Sequence, residues 1–351
     1  MRAFGQHHRT IALGQDGQSV VVVDQTRLPH AFEKRTLRTS AEIAVAIRTM
    51  VVRGAPLIGV TAAFGMWLAL RQDASDAALR EAAHALGETR PTAVNLAWAL
   101  ARVVAEMSPL RPGERAAAAM ALAVAMADED AAACEAIGRH GADLLHRRFD
   151  EVGRPATFHV LTHCNAGWLA TVDWGTALSP LYRLHDEGLA LHVWVDETRP
   201  RNQGLLTQWE LAQHGVPCTL IVDNAGGLLM QRGRVHACIV GADRIAANGD
   251  VCNKVGTYLK ALAARDAGIP FLVAAPSSTF DLSVAHGDAI PIEERSPREI
   301  TLDETIDAYN PAFDVTPARL VDALVTETGT CSATTESIHR HLRRSQEADE
   351  R

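Results

Sequence analysis

ACIVGADRIAANGDVCNKVGTY, residues 237–258, opens with an apolar run too short for a helix, the pattern of a buried strand. The run ends at Gly241-Ala242-Asp243, which leaves a carboxylate where apolar surroundings give way to a loop. Asn248-Gly249-Asp250 is turn chemistry, and Asn253-Lys254-Val255-Gly256-Thr257 then opens a helical pattern. A strand-end carboxylate followed by a lysine and the free N–H groups of a helix start suits an anionic ligand that needs acid chemistry. An ordinary strand–loop–helix with Asp243 as a cap fits this stretch equally well.

The flanking sequence repeats the theme. Apolar runs at 158–164 (FHVLTHC), 191–197 (LHVWVDE), 218–224 (CTLIVDN) and 270–276 (PFLVAAP) alternate with helical patterns near 175–187, 205–214, 226–232 and 255–267. That alternation predicts βαβ units in a Rossmann-like, doubly wound parallel sheet. Successive strands end in Cys164-Asn165, Asp196-Glu197, Asp223-Asn224 and Asp243. Parallel strands put these ends on one edge, where such folds bind ligands, so a polar active-site rim is expected there.

Upstream of Gly153-Arg154-Pro155 the pattern is helical. A strand is expected over 18–28, then a helix from Ala41 to Met50 capped by Ser40. Further helices are expected over 57–71, 75–88 and Thr92–Met107, and one long helix or two abutting ones over 114–149. The expected class is α/β. A mostly helical N-terminal domain (1–150) with a small β element precedes the Rossmann-like domain (151–351).

Composition narrows the function. The 351 residues are 47% hydrophobic with a net charge of −8, which argues against nucleic acid as a partner. No apolar segment reaches spanning length, so no membrane association is expected. Six scattered cysteines without a CxxC pair, and a start without an apolar leader, suggest a reduced cytoplasmic setting. No G-x-G-x-x-G follows the first strand and no G-x-x-x-x-G-K-[ST] occurs, so no nucleotide cofactor is indicated. The fifteen histidines form no H-E-x-x-H motif, and no metal site is expected.

Several side chains could do chemistry. Cys164, in Thr-His-Cys-Asn-Ala-Gly, would have a lowered pKa if helix N–H groups pointed at it; as a free cysteine it could equally be inert core. Strand alternation sends His163 to the other face, as a structural residue, and turns Arg244 away from Asp243. Apolar burial of Asp243 would raise its pKa and make it a usable acid. Arg53, Arg90 and Lys254 lie on breakers or helix starts and suit a phosphate, and Gln203 could orient sugar hydroxyls.

Eight segments, RGAPLIGVTAAFG (53–65), RPTAVNLAWAL (90–100), THCNAGWLAT (162–171, Trp168 apart), ETRPRNQG (197–204), GADRIAANGDVCNKVGTY (241–258), AAPSSTFD (274–281), IPIEER (290–295) and NPAFDVTP (310–317), together resemble the S-methyl-5-thioribose-1-phosphate isomerase family of methionine salvage. The resemblance spans about residues 20 to 330. It implies a cofactor-free, metal-free homodimer acting on a sugar phosphate. Cys164 and Asp243 would be its catalytic residues, and Arg53, Gly54, Ala55, Arg90, Gln203, Asn253 and Lys254 would contact substrate. It also implies an aldose–ketose isomerisation in which Asp243 frees the ring oxygen and Cys164 serves as base or relay at C2. In this chain the segment Gln203–Leu211 is one residue shorter than the family pattern and lacks its arginine. Similar architecture occurs in the alpha, beta and delta regulatory subunits of the eukaryotic guanine-nucleotide exchange factor for translation initiation, and in isomerases of ribose 1,5-bisphosphate and 5-deoxyribose 1-phosphate. Those are the alternatives.

Overall fold

The computed structural model describes residues 1–90 and 93–349. It begins with a small hairpin, β1 (Arg2–Ala3) and β2 (Gln6–His7). A three-stranded antiparallel sheet of β3 (Ile11–Leu13), β4 (Val20–Val23) and β5 (Lys34–Leu37) follows. The strand expected over 18–28 is therefore only β4. Its neighbours were not legible because strands as short as KRTL show no usable period.

Five helices come next: α1 (Ser40–Arg48), α2 (Ala55–Leu70), α3 (Asp76–Gly87), α4 (Val94–Met107) and α5 (Pro112–Glu151). The cap of α1 is Thr39, not Ser40. Thr39 Oγ1 accepts from Glu42 N at 3.1 Å while Glu42 Oε2 accepts from Thr39 N at 3.2 Å, a reciprocal capping box. The expected start of α4 at Thr92, after Pro91, lies outside the described residues. Helix α2 is apolar on every side and buried throughout 57–68, so it sits at the centre of the bundle. Helix α5 is continuous. Its first half packs through Leu122 and Met126 into the helical core, its second through Ile137 and Leu145 onto the large sheet.

The remainder runs β6 (Phe158–Thr162), α6 (Ser179–Asp186), β7 (Leu191–Asp196), α7 (Gly204–His214), β8 (Cys218–Ile221), α8 (Ala225–Gln231), β9 (Ala237–Val240), β10 (Arg244–Ala246), β11 (Val251–Lys254), α9 (Thr257–Asp266), β12 (Phe271–Ala274), β13 (Phe280–Asp281), β14 (Phe313–Thr316), β15 (Ala323–Thr326), β16 (Gly329–Cys331) and α10 (Thr335–Asp349). The large sheet has the order β16-β15-β12-β9-β6-β7-β8, parallel except for β16. Strands β9 and β12 are buried at every position, as parallel strands covered on both faces must be. The chain winds outward from β6 through β7 to β8, then returns to β9 on the other side. The winding direction thus reverses between β6 and β9, and the crevice beyond their carboxyl ends is where such sheets bind ligands.

One expectation needs correction here. Asn253 and Lys254 do not open a helix. They end β11, which forms an antiparallel hairpin with β10 and pairs on its other side with β14. Helix α9 starts only at Thr257. Strand β14 lies some sixty residues downstream, and a local sequence pattern carries no trace of so distant a partner. Among the described residues no helix is long and apolar enough to cross a membrane.

Candidate active site

The crevice beyond β6 and β9 is a cavity. Cys164, Asp243, Arg53, Gly54, Ala55, Arg90, Gln203, Asn253 and Lys254 all line it, joined by His163, Asn165 and Phe313. The helical part contributes Arg53 to Ala55 and Arg90, and the sheet part contributes the rest.

Cys164 sits two residues past β6 with φ of 66°, a left-handed conformation that non-glycine residues rarely adopt. Two threonines hold it there. Its N–H donates to Thr198 Oγ1 at 2.9 Å, and its carbonyl accepts from Thr207 Oγ1 at 2.8 Å. Strain held at this position by surrounding bonds is a common mark of a working residue. The thiol is not activated by a helix start, because the loop continues into a short 3-10 turn, Trp168–Ala170. Burial instead pushes the Cys164 thiol up, against the pull of Lys254 and Arg53.

Asp243 links β9 to the β10 hairpin, its N–H donating to Cys252 O at 2.9 Å. Its carboxylate has no hydrogen-bond partner among the described residues. Burial pushes it up, and Lys254, Arg90 and Arg53 oppose that only in part. A proton is thus retained above the ordinary carboxylate range, as a general acid requires. Arg244 does turn away, donating to Asp281 Oδ2 at 3.1 Å.

The cations differ in their freedom. The Arg53 guanidinium, 8% exposed, donates to the side-chain and main-chain oxygens of Asn165, and its Nε has no hydrogen-bond partner among the described residues. Arg90 is tethered to Glu293 at 2.9 Å, and Arg295 grips the other oxygen of Glu293 at 2.7 Å. Lys254 has no ion pair among the described residues; its Nζ stands 4.9 Å from the Phe313 ring centroid, and burial draws its pKa down. Gln203 Oε1 is buried without a partner, and Asn253 Nδ2 donates to Thr257 Oγ1 at 3.1 Å. The start of α9 cannot serve a phosphate as expected. Asp314 already accepts from Gly256 N at 2.6 Å and Tyr258 N at 3.1 Å.

Gly54 explains itself by geometry. Its φ is 100°, and a Cβ would fall 2.7 Å from the carbonyl carbon of Ala170. Only glycine lets the Arg53 segment lie against the 3-10 turn that follows the cysteine loop.

Of the strand-end carboxylates, Asp196 and Asp223 do not line the cavity. Asp196 is fully buried, bonded to His163 Nδ1 at 2.9 Å with Lys260 Nζ at 3.2 Å. Asp223 braces the loop after β7 by accepting from Thr198 N and Arg199 N. These two acids and His163 form the one group among the described residues with metal-like spacing. A lysine ammonium already balances Asp196, and backbone donors occupy Asp223, so the cluster reads as an internal charge network. His159 and His163 stand four apart, but His159 lies in β6 and His163 just past its end, so extended backbone spreads them rather than bringing them together. His163 is tied to Asp196 and, through Nε2, to Val255 O at 2.9 Å, yet it lines the same cavity as Cys164. Strand alternation does not separate the two, because both lie past the end of β6, where Cys164 turns left-handed.

Asn165, Glu210 and Glu293 went unremarked as site residues. For Glu210 a signal existed: a carboxylate set between Trp209 and Leu211 needs buried donors if it is buried with them.

A second, more apolar hollow adjoins the cavity across Gly54, Arg90 and Asp243. Ile58, Ala93, Cys252, Ile290 and Phe313 line it.

Comparison with known proteins identifies the family. The model of the initiation factor 2 subunit family matches residues 51–333. The methylthioribose-1-phosphate isomerase of Methylorubrum populi is 56% identical over 356 aligned residues, covering 96% of this chain and 97% of the relative. The crystal structure of 5-methylthioribose 1-phosphate isomerase from Pyrococcus horikoshii superposes with a TM-score of 0.84 at 39% identity, covering 96% of each chain. A crystal structure described as translation initiation factor eIF-2B, subunit delta, from A. fulgidus gives 0.80 at 38% identity, covering 96% of this chain and 100% of that one. With two thirds of its length and more inside both matches, the chain belongs to the initiation factor 2 subunit family and, within it, to the methylthioribose-1-phosphate isomerases.

Proposed function

We propose that the chain is an aldose–ketose isomerase of methionine salvage, converting S-methyl-5-thio-α-D-ribose 1-phosphate to S-methyl-5-thio-D-ribulose 1-phosphate. The observation that carries this is the convergence of Cys164 and Asp243 with Arg53, Arg90 and Lys254 on one cavity at the sheet's switch point. Identity of 56% to a relative of that name supports it.

The anomeric oxygen of this substrate is phosphorylated, so its ring cannot open to a free aldehyde. Asp243 gives its proton to the ring oxygen and the C1–O bond breaks. One hydrogen then moves from C2 to C1, the 2-hydroxyl loses its proton, and C2 becomes the carbonyl. Cys164 serves the C2 side and takes up that proton; burial holds its thiol up, and Lys254 and Arg53 offset this only in part. Arg53, Arg90 and Lys254 hold the phosphate. Gln203, with its unpartnered amide oxygen, takes a sugar hydroxyl.

The apolar hollow beside Asp243 receives the methylthio end, since a thioether is recognised mainly by apolar contact. Its own cation, Arg244, is already balanced by Asp281 and the rest of its added lining is apolar, which disfavours a second phosphate. The domains 1–150 and 151–351 enclose the substrate between them. A homodimer and a cytoplasmic location complete the proposal. Exposed Leu220, Val222, Leu228, Leu259 and Leu262, along the sheet edge and the packed helices α8 and α9, support the first. Six unpaired cysteines support the second.

The test is an isomerisation assay of purified protein with three sugar phosphates. The methylthio sugar should be the best substrate. 5-Deoxyribose 1-phosphate should turn over roughly ten- to two-hundredfold less efficiently, the cost of emptying a small apolar contact. Ribose 1,5-bisphosphate should be rejected. Cys164→Ser and Asp243→Asn should each lower kcat at least about a hundredfold. Inactivity on all three sugars would leave a binding or assembly role like that of the eIF-2B subunits.

A further inference from the structure

We infer that Glu210, which touches no cavity surface, is the positioning residue of the active site, setting Arg53 and the Cys164 loop through Asn165. The inference rests on the isomerase reading above. Glu210 is fully buried on α7, yet its carboxylate is saturated. Oε1 accepts from Asn165 Nδ2 at 2.8 Å and Leu169 N at 3.2 Å. Oε2 accepts from Trp168 N and the Tyr182 hydroxyl, at 2.8 and 2.9 Å. Three of these four donors belong to the loop that begins at Cys164.

Asn165 passes the arrangement on. Its Nδ2 also meets Thr207 Oγ1 at 3.0 Å, so both amide hydrogens are used on the α7 side. The side-chain oxygen must then face the other way, where Arg53 donates to it and to the Asn165 carbonyl. Flipping the amide would aim N–H groups at a guanidinium and an oxygen at a carboxylate. The same Thr207 hydroxyl donates to the Cys164 carbonyl, so one cluster sets both the cysteine backbone and the arginine. Gly167 completes it, because a Cβ there would fall 2.6 Å from Glu210 Cδ.

Charge follows the same route. Burial pushes the Glu210 carboxyl up, while its donors and Arg53 pull it down. The guanidinium and carboxylate are thus matched across a single amide, out of contact with each other. Arg53 keeps free N–H capacity for substrate, whereas a direct ion pair would use it up.

Glu210→Gln keeps shape but faces N–H groups toward N–H donors. We expect kcat/KM to fall at least about thirtyfold, with KM rising as Arg53 loosens, in protein that still melts cooperatively above assay temperature. The double variant E210Q/N165D returns the negative charge one residue closer to Arg53 and lets the new glutamine donate to it. It should recover at least about tenfold in kcat/KM. A purely structural Glu210 would lower Tm but leave kcat and KM of the folded enzyme within threefold of the parent, and that result overturns the inference. So does a double variant no better than E210Q. If E210Q does not fold, Tyr182→Phe decides: it removes one donor far from the cavity and should raise KM at least threefold, whereas unchanged kinetics count against Glu210. The parent runs in the same assay, so a parent inactive on the methylthio sugar indicts the isomerase reading instead.

Discussion

Replacing Lys254 by methionine should weaken phosphate binding and at the same time stabilise the fold. Lys254 is 7% exposed, lies over the Phe313 ring, and has no carboxylate within ion-pair distance among the described residues. Its burial therefore opposes its own charge, the physical reason its pKa is drawn down. Methionine keeps a similar stem and removes the ammonium. Losing a charge-assisted hydrogen bond costs about 1.5–3 kcal/mol, so product affinity should drop roughly ten- to 150-fold. Exchanging a buried ion for apolar atoms of similar volume is neutral or stabilising by up to about 4 kcal/mol, a rise in Tm of about 1–5 °C for a chain this long. The pH dependence has a definite sign. A lysine whose folded pKa lies below its unfolded one binds fewer protons when folded, so the parent gains stability as pH climbs between the two values. The Tm advantage of the variant should accordingly narrow toward alkaline pH. Calorimetric titration with the ketose 1-phosphate and thermal melts at several pH values measure both effects. A variant that melts lower and binds as tightly as the parent would refute the reasoning, since Lys254 would then be a structural ion-pair partner away from the phosphate.

Gly54→Ala should destabilise by on the order of 3 kcal/mol, because the new Cβ meets the Ala170 backbone at a φ of 100°; a thermal midpoint unchanged within error would show that the contact relaxes freely. Iodoacetamide should modify Cys164 with a pH midpoint above that of a free thiol, in keeping with burial, and a bound phosphate should move the midpoint higher by neutralising Arg53 and Lys254. A midpoint below the free-thiol value, read by mass spectrometry of the modified peptide, would contradict both statements.

The sequence alone was enough for the parallel sheet and for the edge on which its cavity opens. Runs such as ACIV and FLVA are apolar without alternation because both faces of a parallel strand are covered, and burial of that kind is written residue by residue. Strand order then follows from connection rules, and the carboxyl edge from strand direction. Motif resemblance added the candidate residues, and all nine line one cavity, five from the sheet part and four from the helical part.

What tertiary structure alone decided is who bonds to whom. Lys254 ends a strand because β14, far along the chain, supplies its ladder, and the same segment brings Asp314 to occupy the start of α9. Asp196 and Asp223 resemble Asp243 in sequence, yet His163, Lys260 and two backbone N–H groups turn them into internal supports. Glu210 looked like one of several polar residues on α7 until Asn165, Trp168, Leu169 and Tyr182 were seen around it. Periodicity reports whether a side chain is buried. A buried polar group is defined by its partners, and those are fixed only when segments distant in sequence meet.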